Sequence, residues 1–127
     1  MDHSTLIDRF YAAYAARDLQ AVAALYHTDA SHEETAMGKS REGREALLAG
    51  LEGFWRMLPD VEWSRKGYIR AANQVAVPYH MTGTFTGKDG QPRAIALDGL
   101  HMFTLEEGQI RASRDLWDLD LFKAQMA

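Results

Sequence analysis

The N-terminal half of the chain repeats apolar residues at the spacing of amphipathic helices. Three helices are predicted, over about 5–16, 19–26 and 41–57, with a cap for the first at Ser4 or Thr5 and a stop for the third at Pro59-Asp60. Residues 28–34 are predicted to be extended and residues 37–40 to form a loop.

From Val61 onward apolar and polar residues alternate, which is the period of β-strands. Four strands are predicted, with turn compositions between them, over 61–70, 74–86, 93–105 and 109–118. Pro78 lacks an N–H and therefore indicates a bulge or an edge. The tail, 119–127, is predicted to be a short closing helix or a loose end. Helices followed by an antiparallel meander predict an α+β domain with a ligand space between the layers.

The last two predicted strands form a hairpin that carries the most informative pair of residues. His101 and Asp115 lie on opposite arms of a turn at Glu107-Gly108. If the register centres on residue 108, they face each other on one side of the sheet, and a shift by one residue would separate them. A histidine and a carboxylate meeting in a pocket are suited to proton transfer, although such a pair can also be purely structural.

Composition and charge narrow the function classes. The chain has 127 residues, 46% hydrophobic and 25% charged, which is ordinary for one soluble globular domain spanning 1–127. It has no cysteine, so disulfides, thiolate metal sites and a cysteine nucleophile are excluded. A net charge of −4 with dispersed basic residues argues against nucleic acid or an anionic membrane as partner. No membrane span or signal peptide is evident, and we expect a cytoplasmic protein.

The order of these elements, with these residues, resembles the NTF2-like superfamily and, within it, the SnoaL-like polyketide cyclases. The resemblance spans nearly the whole chain and rests on ARDLQAVAALYHTDA, GREALLAGLEGFWRMLPDVEW, TGTFTG and GLHMFTLEEGQIRASRDLWDLD. It implies a cone-shaped, curved antiparallel sheet packed on three N-terminal helices, an internal apolar pocket, and a homodimer through the outer face of the sheet. The fold alone does not fix the chemistry, because the superfamily includes both enzymes and binding proteins.

The resemblance also implies site residues. The cyclases carry a catalytic aspartate shortly after the hairpin turn, a position that Asp115 takes, and a pocket histidine on the preceding strand, which His101 matches. The sequence departs from the family in TGTFTG, where many cyclase-like relatives have a histidine and this chain has Phe85. A phenylalanine cannot donate a hydrogen bond to a substrate carbonyl.

Ketosteroid isomerases share this fold and provide an alternative. Their general-base aspartate matches Glu34, but their oxyanion-binding tyrosine and protonated aspartate align with Phe10 and near Leu100. Neither of these side chains can donate to a developing oxyanion. Tyr14, one turn further along the first helix, could substitute only in a rearranged pocket.

The fold implied by the resemblance predicts a set of pocket-lining side chains: Tyr14, Glu34, Trp55, Tyr79, Met81, Phe85 and Phe103. Glu33 and Glu34 would face opposite sides of a strand, so either one of them enters the pocket beside His32 or the pair forms a solvated edge. The histidines do not have metal-ligand spacing, so no metal site is predicted. The chain has no phosphate-binding loop and no Gly-x-Ser-x-Gly elbow, so nucleotide binding and serine hydrolase chemistry have no support, and no cofactor is expected.

The sequence therefore favours acid/base chemistry on a small to medium-sized apolar carbonyl compound, such as an aromatic polyketide or a related ring system. In this hypothesis Asp115 moves a proton α to the carbonyl, and His101 hydrogen-bonds the carboxylate or the enolate oxygen. Apolar walls would raise the basicity of the carboxylate. The alternative is a non-catalytic protein of the same fold that binds a small molecule.

Overall fold

Residues 2–127 are described by a computed structural model and form an α+β fold around a curved, unclosed sheet. The elements in chain order are α1 (His3–Ala16), α2 (Leu19–Leu25), β1 (Tyr26–Glu34), a 3-10 turn (Thr35–Met37), β2 (Lys39–Glu42), α3 (Arg44–Met57), β3 (Glu62–Arg65), β4 (Ile69–Ala71), β5 (Gln74–Thr86), β6 (Pro92–Glu106), β7 (Gln109–Trp117) and α4 (Leu119–Met126).

Aspartates, rather than the predicted Ser4 or Thr5, cap the first two helices. The Asp2 carboxylate accepts a hydrogen bond from the Thr5 backbone N–H at 2.8 Å, and Asp18 caps α2 in the same way. A side-chain oxygen at this position satisfies an N–H that has no partner inside the helix. The apolar stripe of α1 is buried as predicted, with Phe10 at its centre.

The segment before α3 is a strand, where a loop and the start of the helix were predicted. β2 pairs antiparallel with β1, and α3 begins only at Arg44. Gly38 and Gly43, with φ of 64° and 88°, flank β2. These left-handed conformations suit glycine, and they turn the chain into β2 and out of it.

The sheet order is β2-β1-β7-β6-β5-β3, with β4 also paired to β5. Every pairing is antiparallel except that of β1 with β7, which is parallel. Local patterning carries no information on the relative direction of two strands this far apart in sequence. The parallel pairing sets Glu34 of β1 directly beside Asp115 of β7.

Pro78 divides the outer strand that was predicted as one segment over 61–70. β3 and β4 pair with β5 on either side of it, and the Pro78 carbonyl accepts a hydrogen bond from the Lys66 N–H between them. In an antiparallel sheet the N–H and the C=O of one residue point to the same neighbouring strand. The side of Pro78 that lacks an N–H therefore faces the gap between β3 and β4, where no strand residue needs that hydrogen bond.

The hairpin between β6 and β7 contains a β-bulge that decides its register. Glu107 and Gly108 form a two-residue turn with φ of 53° and 76°, which pairs Glu106 with Gln109. Further from the turn the pairing shifts by one residue, with Arg111 as the extra residue on β7. Without this bulge, His101 would face residue 114 instead of Asp115.

The C-terminal segment forms a helix that covers an open part of the sheet. The Gln125 side-chain amide of α4 bonds both the N–H and the C=O of Ala96, each at 2.9 Å, where β6 extends beyond β7. Such bonds satisfy an otherwise unpaired strand edge. No helix within residues 2–127 combines the length and apolar character that crossing a membrane requires.

Candidate functional site

A cavity of about 310 Å³ lies between the helices α1 and α3 and one face of the sheet, where residues of β1, β2, β3, β6 and β7 line it. Its wall is aromatic and aliphatic, and it contains a small group of polar side chains. The polar members on the sheet are His32, Glu34, His101, Ser113 and Asp115, together with the basic residues Lys39 and Arg41 of β2. A cavity of this kind, apolar with a few converging polar groups, is the usual form of a small-molecule site.

Asp115 and His101 are direct cross-strand partners, as the centred register predicts. The Nε2 atom of His101 lies 3.5 Å from Oδ2 of Asp115. The two side chains are only 6% and 14% exposed, so the pair lies at the bottom of the cavity.

Tyr11 fixes the other side of the histidine ring. Its hydroxyl lies 2.6 Å from Nδ1 of His101, in the buried interior between α1 and the sheet. Burial raises the pKa of Tyr11, so its hydroxyl keeps its proton. The direction of this hydrogen bond follows the protonation of the ring: a neutral His101 with its proton on Nε2 accepts through Nδ1, whereas a charged ring donates through both nitrogens. Both ring nitrogens of His101 are thus engaged by protein groups.

Tyr79 holds the second oxygen of the carboxylate. Its hydroxyl donates a 2.6 Å hydrogen bond to Oδ1 of Asp115, although the two residues lie on strands separated by β6. The residue of β6 opposite Tyr79 is Gly99, and a Cβ there would collide with the Tyr79 ring and hydroxyl. The glycine therefore lets the tyrosine lie across β6 and reach Asp115.

The pKa of Asp115 reflects opposing influences. Burial raises it, but the positive charge of a protonated His101 and the hydrogen bonds from His101 and Tyr79 lower it by more, with a smaller contribution from His32. The pKa of the Asp115 carboxyl consequently lies below its ordinary value. This is opposite to the raised basicity expected from apolar walls alone, because the effects of His101 and the Tyr79 hydrogen bond together outweigh burial.

This lowered pKa predicts a pH dependence of stability. A carboxyl whose pKa is lower in the folded state stabilises the fold above its ordinary pKa of 3.8, and this contribution is lost as the pH falls through the folded value. We expect Asp115→Asn to be less stable, relative to wild type, at pH 7 than at about pH 3. Urea unfolding at the two pH values measures this difference. If the wild type instead became more stable relative to Asp115→Asn as the pH was lowered, the pKa of Asp115 in the folded protein would be raised.

A second polar cluster lies beside the first. The imidazole of His32 contacts Ser113 through Nδ1 and Glu34 through Nε2, at 2.7 Å each. The other Glu34 oxygen accepts a 3.0 Å hydrogen bond from the Trp117 indole, and the Ser113 hydroxyl also bonds Tyr26 at 2.9 Å. Both oxygens of Glu34 are therefore occupied by protein donors. Within residues 2–127 no group of three or more His, Asp or Glu side chains is arranged to hold a metal ion.

Tyr14 is placed differently from the other buried tyrosines. The hydroxyls of Tyr11, Tyr26 and Tyr79 are hydrogen-bonded, whereas that of Tyr14 has no hydrogen-bond partner among residues 2–127. Tyr14 lines the cavity, and burial, together with the nearby Tyr26 and Asp115, raises its pKa. It is a protonated donor in the cavity wall.

The predicted pocket residues divide into two groups. Tyr14, Glu34 and Phe103 line the cavity, together with His101 and Asp115. The other four do not contribute to its wall: Trp55, Tyr79, Met81 and Phe85. Three of these four lie on β5, which contributes no residue to the wall, although Trp63 of the adjacent strand β3 does line the cavity.

Trp55 lies on the other side of Tyr14, with ring centroids 5.9 Å apart, and under the Arg17 guanidinium. Sequence reasoning missed Tyr11, Tyr26, Ser113 and Trp117 as polar members of the site. A signal existed for Ser113, which shares the odd-numbered positions of Asp115 and Trp117 on β7.

Comparison with known proteins identifies the family. The profile described as the SnoaL-like domain matches residues 7–113. The chain belongs to the SnoaL-like domain family. The matched range of this SnoaL-like chain includes His101 and ends two residues before Asp115. No curated protein shows significant sequence similarity to it.

Solved structures with a similar fold share little sequence with this SnoaL-like chain. A hypothetical protein with a ketosteroid isomerase-like fold from Catenulispora acidiphila, in complex with trimethylamine, has a TM-score of 0.84 at 20% identity, covering 95% of this chain and 91% of its own. A candidate SnoaL-like polyketide cyclase from Shewanella denitrificans has a TM-score of 0.85 at 15% identity, covering 96% and 94%. An NTF2-like protein of unknown function from Burkholderia pseudomallei has a TM-score of 0.86 at 17% identity, covering 98% and 96%. At these identities the likeness establishes the fold, which is of the ketosteroid isomerase and NTF2-like type.

Proposed function

We propose that this SnoaL-like protein catalyses proton transfer at a carbon α to the carbonyl of a small, apolar ring compound. The observation that carries the proposal is the Asp115 carboxylate at the bottom of an apolar cavity, held by Tyr79 and His101. Carboxylates held in this way are suited to general acid/base catalysis. The polyketide cyclase-type relatives support the class of substrate.

Asp115 is the base in this proposal. Its Oδ1 atom accepts the short Tyr79 hydrogen bond, whereas Oδ2 has only the longer approach of His101 at 3.5 Å. Oδ2 takes a proton from the α-carbon, which gives a neutral carboxyl group and an enolate, and then returns it to carbon. A pKa below the ordinary value keeps the carboxylate ionised at neutral pH. It also limits the strength of the base, which favours substrates whose α-protons an adjacent ring acidifies.

His101 and Tyr14 take supporting roles. Because both nitrogens of His101 are engaged by Tyr11 and Asp115, we assign it as a positioning residue that orients the carboxylate. The enolate oxygen needs a donor that is not already committed, and the Tyr14 hydroxyl is such a donor in the wall.

A second candidate function is binding without catalysis. It is favoured by the lowered pKa of Asp115, which is typical of a carboxylate that stabilises a structure. In that case the carboxylate, His101 and Tyr79 form a polar network that gives the apolar cavity its shape.

Hydrogen–deuterium exchange separates the two functions without knowledge of the natural substrate. Wild-type protein is mixed in deuterium oxide with β-tetralone or indanone, and the loss of each α-proton signal is followed by NMR. A catalyst accelerates the exchange above the buffer rate, in proportion to protein and with saturation in ketone. Ketones that bind, as seen by line broadening, but exchange at the buffer rate would contradict catalysis and favour the binding function.

A further inference from the structure

Two basic side chains share the cavity wall with the carboxylates. Lys39 and Arg41 alternate with outward-facing residues on β2, and both line the cavity. On the neighbouring strand β1, Glu34 is the cross-strand partner of Lys39, and His32 is the partner of Arg41. Lys39 is exposed and Arg41 half-buried, whereas Asp115 is buried, so the two cations lie at the mouth and the proposed base at the bottom.

The salt bridges formed among the described residues do not include these two cations. Neither Lys39 nor Arg41 takes part in an ion pair among residues 2–127. Glu34 is the carboxylate opposite Lys39, but its oxygens are occupied by His32 and Trp117. The mouth therefore presents two cationic side chains that are not held in salt bridges within residues 2–127.

The position of Arg41 depends on a glycine in α3. A Cβ added to Gly50 would lie 2.5 Å from Nε of Arg41 and 2.9 Å from its Cζ. The arginine side chain thus lies in the space that the absent side chain leaves, against the helix at the rim of the cavity. Glycine inside a helix costs about 1 kcal/mol relative to alanine. This position keeps the guanidinium at the mouth.

We propose that Lys39 and Arg41 bind a carboxylate carried by the ligand, so that the ligand is an apolar ring carbonyl compound with an acidic group at one end. This rests on the proposed function of the cavity. Arginine suits the planar geometry of a carboxylate, and lysine adds a mobile charge. The ring body lies against the aromatic wall, with its carbonyl end toward Asp115.

The sheet sets the length of such a ligand. β1 lies between β2 and β7, and Lys39, Glu34 and Asp115 are cross-strand neighbours on these three strands. The Cα atoms of Lys39 and Asp115 are therefore two strand spacings, or roughly 10 Å, apart. The lysine and arginine side chains shorten the gap to be spanned. A two-ring compound with an acidic substituent fits between the mouth and the bottom of the cavity.

A matched pair of ligands tests this inference by calorimetry. Naphthoate and naphthamide have the same ring and nearly the same shape, and they differ in charge. Wild type is expected to bind naphthoate more tightly, and Lys39→Gln with Arg41→Gln to weaken naphthoate binding about tenfold with little change for naphthamide. The control is Lys66→Gln with Arg70→Gln, which removes the same charge from exposed positions near the opposite edge of the sheet.

A third variant tests placement without removing charge. Gly50→Ala displaces the Arg41 guanidinium and is expected to weaken naphthoate binding while the free energy of unfolding stays at or above that of wild type.

The inference is overturned if wild type binds the two ligands with equal affinity. It is also overturned if the control variant loses as much naphthoate affinity as the variant of Lys39 and Arg41. Those results would leave the proposed small-molecule cavity standing. If neither ligand binds at all, the inference is also overturned, and the α-proton exchange of β-tetralone decides the proposed function separately.

Discussion

Asp115→Asn is expected to lower the rate of α-proton exchange in β-tetralone by about 100-fold or more, because general bases typically contribute factors of 100 to 10,000. Asparagine keeps the size of the side chain and can still accept the Tyr79 hydrogen bond, but it cannot take a proton. The effect should therefore appear in the exchange rate rather than in ketone affinity. Exchange is followed by NMR, with the ketone dissociation constant measured alongside.

The chain offers a control for this substitution in Asp98. Its carboxylate pairs with His80 at 3.0 Å but is 84% exposed on the outer side of the sheet. Asp98→Asn makes the same chemical change in a second aspartate–histidine pair and should leave exchange unchanged. Equal rates for wild type and Asp115→Asn, with both proteins folded, would exclude Asp115 as the base.

Phe10→Ala is expected to destabilise the fold by about 3–5 kcal/mol, the range for a buried phenylalanine. Phe10 is 1% exposed, and its ring packs against Tyr14 at 4.2 Å and Phe103 at 4.9 Å between centroids. It also contacts Tyr11 and His101, so its removal loosens both partners of the hydrogen bond that orients the histidine. Urea unfolding measures the loss.

Phe85→Ala is the matched comparison, since it deletes the same atoms from a half-buried position outside the cavity wall. Its loss should be clearly smaller. A loss for Phe10→Ala no larger than that for Phe85→Ala would show that α1 is not packed tightly on the site.

The elements that the sequence predicted well are those with a regular period. The stripe of α1, the 74–86 strand and the paired arms of the last hairpin each follow from local spacing. The facing of His101 and Asp115 was predicted from a register centred on residue 108. In the structure that register arises from a two-residue turn combined with a bulge at Arg111, and the bulge had no signature that periodicity could detect.

What could not be predicted depends on contacts between distant segments. Tyr11 and His101 are 90 residues apart in the sequence, and their hydrogen bond follows from the packing of α1 on the sheet. The parallel pairing of β1 with β7 brings Glu34 beside Asp115, and no local pattern specifies it.

Gly99 and Gly50 are a further case. Each is an ordinary glycine in the sequence, yet one makes room for Tyr79 and the other for Arg41. The role of such a glycine can be recognised only when the residue that packs against it in the fold is known. The predicted cavity wall was misplaced toward β5 for a related reason, since alternation along a strand shows which side is buried but not which part of that side is left open.

The most direct test of the central claim is the carboxyl-carbon NMR signal of Asp115 during titration with β-tetralone, in protein labelled at its aspartates. If Asp115 is the base at the bottom of the ligand cavity, its signal moves with ketone binding and saturates with it, while the signal of Asp98 stays in place. Saturating binding that leaves the Asp115 signal unmoved would contradict the account, because the ligand would then lie out of reach of the carboxylate.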